Sequence, residues 1–296
     1  MKLYTFDNGD GVKRVGVELT GFPGLIRDVR DFGLPYRDMT DLIRRITPSE
    51  KERISDPEAA LDGRPLRLSS VRVCSPIPHP EQDIICLGVN YAAHADESAQ
   101  FDRKAFLLDR KKATYFSKRA YQTSGPDDLI PSYPELVTSL DYEAELAVIV
   151  GRGCKNVCER DAAACIFGYT GLNDVSARNL QTEHNQWYFG KSLDGFTPMG
   201  PCIVTEDEIP YPPALSISST VNGELRQNSN TKYLLHSISE IIAELSQGMT
   251  LLAGTIIATG TPAGVGMGFD PPKFLKSGDV VTCEIEKIGR LTNMVK

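Results

Sequence analysis

The chain lacks several features that would have placed it at once. No uninterrupted apolar run approaches the roughly 20 residues that span a bilayer. The opening Met1-Lys2-Leu3-Tyr4-Thr5-Phe6-Asp7 has no apolar stretch of the secretory kind. Positive charge is not in excess: 32 Lys and Arg stand against 39 Asp and Glu, a net charge of −7. That balance argues against broad binding to nucleic acid or to anionic membranes. There is no repeat and no low-complexity tract. The seven cysteines, Cys74, Cys86, Cys154, Cys158, Cys165, Cys202 and Cys283, lack the density of a disulfide scaffold. Cys154 and Cys158 have no second pair or Cys/His cluster to complete a zinc set. Free thiols and the missing signal predict a cytoplasmic protein whose cysteines behave as small hydrophobes. Two catalytic signatures are missing too. Ser176 sits in no G-x-S-x-G elbow, and the glycine-rich stretch from Thr259 to Gly268 lacks the Gly-Lys-Ser/Thr ending of a phosphate loop.

What is present suffices for a sizeable core: 296 residues, 41% of them hydrophobic and 24% charged. This length suits one large domain, or a main domain with a smaller partner. Val15, Val17 and Leu19 alternate, as does Leu66-Arg67-Leu68, and Met39, Leu42, Ile43 and Ile46 fit a helix face between them. Residues 1–75 therefore read as a small N-terminal α+β domain. Prolines at alternate positions in Ser75-Pro76-Ile77-Pro78-His79-Pro80 force extended backbone and mark 76–82 as a linker. Residues 83–296 follow as the main domain. Its strand signals are Ile84 to Val89, Glu145 to Gly151, the alternating Leu215, Ile217, Ser219 and Val221, and Val281, Cys283 and Ile285. Asn222-Gly223 supplies a type I′ hairpin turn. Asp161 to Phe167 suits a short helix. Ser237-Ile238-Ser239-Glu240 is a capping box opening a helix with Ile238, Ile241, Ile242, Leu245 and Met249 at helical spacing. Strands dominate and helices do not alternate with them, so the fold class is a β-rich mixed α+β fold.

The chemistry concentrates at Asp141-Tyr142-Glu143-Ala144-Glu145. Alternation along a strand puts Asp141, Glu143 and Glu145 on one face, successive ones roughly 7 Å apart. Ala147 and Ile149 continue that face and draw Glu145 inward. Adjacent buried carboxylates repel and take up protons unless a cation lies between them. Oxygen-only ligands suit a hard ion, Mg²⁺, Mn²⁺ or Ca²⁺. Asp174, in Gly171-Leu172-Asn173-Asp174-Val175-Ser176-Ala177-Arg178, is available as a third ligand, although alone it reads equally as a helix start with Arg178 four residues on. His94 and Glu97 are three apart, on one side of a helical turn.

Taken in order, six segments resemble the fumarylacetoacetate hydrolase family. They are Cys86-Leu87-Gly88-Val89-Asn90-Tyr91-Ala92-Ala93-His94-Ala95-Asp96-Glu97, Tyr115-Phe116-Ser117-Lys118, the carboxylate strand, the Asp174 segment, Phe189-Gly190-Lys191-Ser192-Leu193-Asp194-Gly195-Phe196, and Thr259-Gly260-Thr261-Pro262-Ala263-Gly264-Val265-Gly266. A looser match at Leu275-Lys276-Ser277-Gly278 closes the series. The resemblance implies a mixed β-sandwich roll, a homodimer and a divalent metal held by Glu143, Glu145 and Asp174. It also implies a mobile catalytic segment carrying Asn90, Tyr91, His94 and Glu97. Substrate would be polarised and held by Lys191, Arg178 and Gln181, with Tyr91, Thr261 and Lys118 as further contacts. The chain departs from the family at Arg119, where a proline is common. The basic stretch from Arg103 to Arg119 matches no family pattern and reads as a solvated charge run.

The reaction this resemblance implies is hydrolytic cleavage of a carbon–carbon bond in a 2,4-dioxo acid, of acylpyruvate or diketo-deoxy sugar acid type. The metal would chelate the carboxylate and 2-oxo oxygens. His94, oriented by Glu97, would activate water, and Lys191 and Gln181 would stabilise developing charge. A decarboxylase, hydratase or enol–keto isomerase needs the same site and remains an alternative. A non-catalytic binder of small acids or metal is the alternative of another class.

Overall fold

The computed structural model describes residues 1–56, 64–106 and 109–296. The strand Ala144–Val150 is buried at every position, as expected of a strand covered on both faces. Its residues feed two cores in alternation. Ala144, Leu146, Val148 and Val150 pack with Ile217, Val281, Cys283 and Ile285. Ala147 and Ile149 pack with Leu3, Val17, Leu42, Ile84 and Cys86. Each Val, Leu or Ile so removed from water contributes about 1.5–3 kcal/mol, so this strand is the seam of the molecule.

It lies inside an 11-stranded mixed sheet. Its neighbours are Ile166–Asn173 on one side and Ile256–Ala258 on the other, both antiparallel. Ile84–Gly88 then pairs in parallel with Ile256–Ala258, and Thr114–Lys118 closes that edge. In the other direction Met199–Thr205 joins the sheet to the N-terminal strand Lys2–Asp7. Lys13–Glu18, Leu25–Asp28 and Leu66–Arg67 follow. The N-terminal residues, read from sequence as a small domain, thus extend the same sheet. The proline-rich segment is packed as well: Ile77 is buried in the second core, and Thr123 Oγ1 donates to the Ile77 carbonyl at 2.7 Å. A second sheet of five strands, Glu224–Asn230, Ser216–Val221, Val280–Ile285, Gly289–Val295 and Leu129–Ile130, covers the first core. The fold is a β-rich mixed α+β architecture.

Several local expectations meet their residues. The Asn222-Gly223 hairpin turn has φ of 50° and 81°, and Ser237 and Glu240 form the reciprocal cap of helix Ile238–Gly248. Met249, placed by spacing on its buried face, is instead the exposed C-cap. Asp161 to Phe167 is not one helix. A 3-10 helix covers Glu159–Cys165, and Ile166 and Phe167 begin the next strand, where β-branched and aromatic side chains pack better. Six of the cysteines are buried and Cys158 is exposed; all seven are free. Among the described residues no helix is long and apolar enough to cross a membrane.

Candidate active site

The carboxylate run is not one continuous strand. Leu140–Asp141 pairs with Ser176–Ala177 in a small sheet of its own, and Tyr142 and Glu143 are irregular before Ala144–Val150 begins. The break turns Asp141 away from the face it was expected to share. Its carboxylate accepts the Gly266 and Met267 N–H groups at 2.6 and 3.0 Å and pairs with Arg178 Nε at 2.9 Å. Glu143, Glu145 and Asp174 do converge, each offering an oxygen within 4.8 Å of the others. Asp174 is placed by its N–H, which donates to the Glu143 carbonyl at 2.9 Å. It caps no helix: helix Arg178–Glu183 starts after Ala177 with no side-chain cap.

Cations interleave with these acids. Lys191 Nζ lies 2.7 Å from Glu143 Oε2 and 2.8 Å from Asp174 Oδ2. Arg178 Nη1 lies 2.7 Å from Glu143 Oε1 and donates to Gln181 Oε1 at 3.0 Å. Burial opposes ionisation of Glu143, but Lys191 and Arg178 outweigh it and hold its carboxyl down at about 2. Glu145 goes the other way. Burial, then the charges of Asp174 and Glu143, push its carboxyl well above the ordinary range, and its Oε2 is held by the Gly260 N–H at 2.8 Å. Burial works against the Lys191 ammonium, yet Asp174 and Glu143 more than offset it and raise its pKa.

Four buried carboxylates, Asp141, Glu143, Glu145 and Asp174, therefore face three buried cations, Lys118, Arg178 and Lys191. The set keeps one negative charge without a partner, and Glu145 is where it falls. Three convergent carboxylates with a surplus negative charge fit a hard divalent ion.

Above them stands the helix Ala92–Phe101. Asn90 ties its entry to the loop beneath, donating to the Thr259 carbonyl at 2.9 Å and accepting the His236 N–H at 2.8 Å. His94 Nδ1 is 2.8 Å from Glu97 Oε1, and Glu97 Oε2 accepts the Gly264 N–H at 3.0 Å. A carboxylate can only accept, so Nδ1 carries the proton and Nε2 is left basic. His94, Glu143, Arg178, Gln181, Lys191 and Thr261 line one small cavity with free space of about 10 Å³, room for about one water. Arg178 Nη2 is a buried donor without a hydrogen-bond partner.

Two expected substrate contacts lie elsewhere. Lys118 is fully buried beneath Asp174, 2.7 Å from Oδ1 as an ion pair rather than an aligned hydrogen bond. It donates to the Val175 carbonyl at 3.0 Å and to the Lys191 carbonyl, and it is not in the cavity wall. Within the basic run the strand Thr114–Lys118 turns this one lysine inward, while Arg119 after it stays exposed. Tyr91 is buried with its hydroxyl unpartnered and its pKa raised, by burial first and then by Glu145; it too is absent from the wall.

Sequence reasoning missed other members. Gln227 sits in Glu224–Asn230, a strand without a motif, and donates from Nε2 to Thr261 Oγ1 and to the Pro262 carbonyl, both at 2.7 Å. Asn173 Oδ1 accepts the Glu143 N–H at 3.0 Å. Phe106, Phe116 and Trp187 form the cavity's aromatic side. Of these, Trp187 had a signal: it is the sole tryptophan and lies four residues before Lys191.

Comparison with known proteins identifies the family. The family described as Fumarylacetoacetate (FAA) hydrolase C-terminal matches residues 83–296. Oxaloacetate tautomerase YisK of Bacillus subtilis is 45% identical over 228 residues, 77% of this chain and 74% of that protein. The fumarylacetoacetate hydrolase structure from Exiguobacterium antarcticum superposes with a TM-score of 0.83 at 40% identity, covering 100% and 99% of the two chains. Maleylpyruvate hydrolase from Sphingobium sp. SYK-6, solved with manganese(II) and pyruvate, gives 0.77 at 32% identity over 100% and 98%. The chain belongs to the fumarylacetoacetate hydrolase family and is an enzyme of that family.

Proposed function

We propose that the protein is a divalent-metal-assisted enol–keto tautomerase of small 2-oxo diacids of the oxaloacetate type. The observation that carries this reading is the cavity itself. One imidazole shares the cavity wall with an ammonium and with a guanidinium that keeps a buried N–H group unpartnered, with space for few atoms besides. Among the alternatives left open by the sequence, isomerisation is the one supported by the likeness to an oxaloacetate tautomerase at 45% identity.

A hard ion, Mg²⁺ or Mn²⁺, held by Glu143, Glu145 and Asp174 supplies Lewis acidity to the 2-oxo group. Arg178 Nη2 binds the carboxylate in a charge-assisted bond. His94 Nε2 takes a proton from C3, Lys191 Nζ holds the negative charge that grows on the 2-oxygen, and the imidazolium returns the proton to that oxygen. One proton moves from carbon to oxygen and nothing else is gained or lost. The reverse direction uses the same groups. Glu97 keeps the ring in the productive tautomer through each cycle.

Hydrolysis of an acylpyruvate is the second reading, favoured by the likeness to maleylpyruvate hydrolase solved with pyruvate. One experiment separates the two. The enol absorbance of oxaloacetate is followed in Mg²⁺, with exchange at C3 read by NMR in D₂O, beside pyruvate release from acetylpyruvate. Accelerated ketonisation, lost about 10²-fold or more in His94→Ala, is expected. Pyruvate release at a higher kcat/KM than ketonisation would overturn the tautomerase in favour of the hydrolase.

A further inference from the structure

The small cavity adjoins a much larger cleft, and the two share only Phe116 and Trp187 in their walls. The cleft measures about 370 Å³ and is lined by polar side chains that include Lys104, Thr114, Thr182, Asn185 and Gln186. The indole of Trp187 lies 5.4 Å from the rings of both Phe106 and Phe116. Its seat is an absent side chain: a Cβ on Gly88 would fall 2.3 Å from indole Cζ3 and 2.8 Å from Cη2. Lys191 Nζ stands 5.2 Å from the Phe116 centroid, so the aromatic cluster also borders the reacting end.

The floor and the strand beside it are fixed. Leu87 and Gly88 belong to a strand hydrogen-bonded on both sides, and the floor is a lattice of buried ion pairs. Trp187 is half-buried, with free volume on its outer side. Toward the outer cleft it is the wall that can give way when a chain longer than the cavity extends from the floor.

We infer that Trp187 is the specificity-determining gate of this site. Seated on Gly88, it limits the cavity to short 2-oxo acids. Swung off Gly88, it admits 2-oxo acids with a longer polar tail, which lies in the outer cleft against Lys104, Thr182, Asn185 and Gln186. This rests on the 2-oxo-acid reading above.

The test has two arms. In the first, kcat/KM is measured for oxaloacetate and for a six-carbon 2,4-dioxo acid with a hydroxylated tail. Trp187→Ala should raise the long-to-short ratio at least about tenfold, Gly88→Ala should raise it less, and Trp187→Phe should leave it near wild type. An unchanged ratio in active variants overturns the gate and leaves the 2-oxo-acid reading standing. In the second arm the wild-type enzyme is used in Mg²⁺, where the sole tryptophan reports on the gate without turnover. Acrylamide quenching should change little with bound oxalate and rise about twofold with bound 2-oxoadipate. Equal quenching, with binding of both acids shown by calorimetry, also overturns the gate. Failure of both acids to bind removes the 2-oxo-acid reading and the gate with it.

Discussion

The floor of the site holds seven charged side chains, none more than 4% exposed. Most are carried by strands of the central sheet or by the turns that leave them, and ion pairs and backbone hydrogen bonds fix them in place. The roof is the helix Ala92–Phe101 and the aromatic cluster beside it. It is joined to the rest by few bonds, chiefly Asn90 at its entry, Glu97 to the Gly264 N–H, and an exposed Arg110–Asp96 pair at 2.5 Å. The two parts meet different demands. A buried charge constellation cannot be assembled at the moment of reaction without a large desolvation cost, so it is built into the fold. The roof covers a space of about 10 Å³, so any substrate must displace part of it. Rigidity is placed where the field is made, and freedom where the substrate enters.

Breaking the floor should therefore cost both stability and activity. Glu143→Ala removes the acid shared by Lys191 and Arg178 and leaves two buried cations short of a partner. The expected loss is about 3–5 kcal/mol of unfolding free energy, read by urea denaturation, with turnover reduced to background. Stability within about 0.5 kcal/mol of wild type would mean the floor is not the rigid element argued above.

Much of the floor was legible in the sequence and little of the roof. Side-chain alternation along a strand places Glu145, Ala147 and Ile149 on one face, and the strand Ala144–Val150 behaves so, because that alternation is a local property of extended backbone; Glu143 just precedes the strand and still converges with Glu145. Asp141 escaped the pattern because a two-residue irregularity rotated it onto Arg178, and nothing in Asp141-Tyr142-Glu143 announces that break. Lys118 is expected as a substrate contact from the resemblance, but the edge strand's register turns it under Asp174. Gln227 and the aromatic cluster come from segments distant in sequence, so their convergence is set by sheet pairing rather than by any motif.

A finer comparison lies inside the floor, between Glu143 and Glu145. Glu143 is held ionised by Lys191 and Arg178, whereas burial and the charges of Asp174 and Glu143 push the Glu145 carboxyl well above its ordinary range when no cation is bound. A carboxyl whose folded pKa is raised retains a proton that the unfolded chain has released. Between the ordinary glutamate value, about 4.3, and the higher folded value, the native state binds more protons, so stability falls as pH rises. Glu145→Gln removes that carboxyl. The expected result in chelator is a Tm that declines less with pH than the wild type does above about pH 4.3, with a higher Tm at neutral pH. The rise in Tm on adding Mn²⁺ should shrink or vanish. Parallel Tm–pH curves for the two proteins would show that Glu145 does not carry the floor's surplus charge.

The smallest effect should come from the roof's anchor. Gly268 is exposed, in the 3-10 turn Gly266–Gly268, and a Cβ there would lie 2.2 Å from Glu97 Oε2. The obstacle is the end of a flexible side chain with 15% exposure, so Gly268→Ala should move the carboxylate and spare the backbone. The Gly264 N–H and His94 Nδ1 then lose their common acceptor, and the imidazole loses the partner that fixes its tautomer. Misplacing a catalytic group by about 1 Å costs on the order of 10²-fold at most. We therefore expect kcat to fall about 10- to 100-fold, KM to change little, and unfolding free energy to stay within about 0.5 kcal/mol. Glu97→Gln keeps an acceptor but removes the charge, and it separates the two contributions of this anchor. A matching fall in both variants means the carboxylate's charge carries the effect. A fall only in Gly268→Ala means its position does. Full activity in both would mean that His94 needs no fixed partner, and that the roof holds substrate in without shaping the proton transfer.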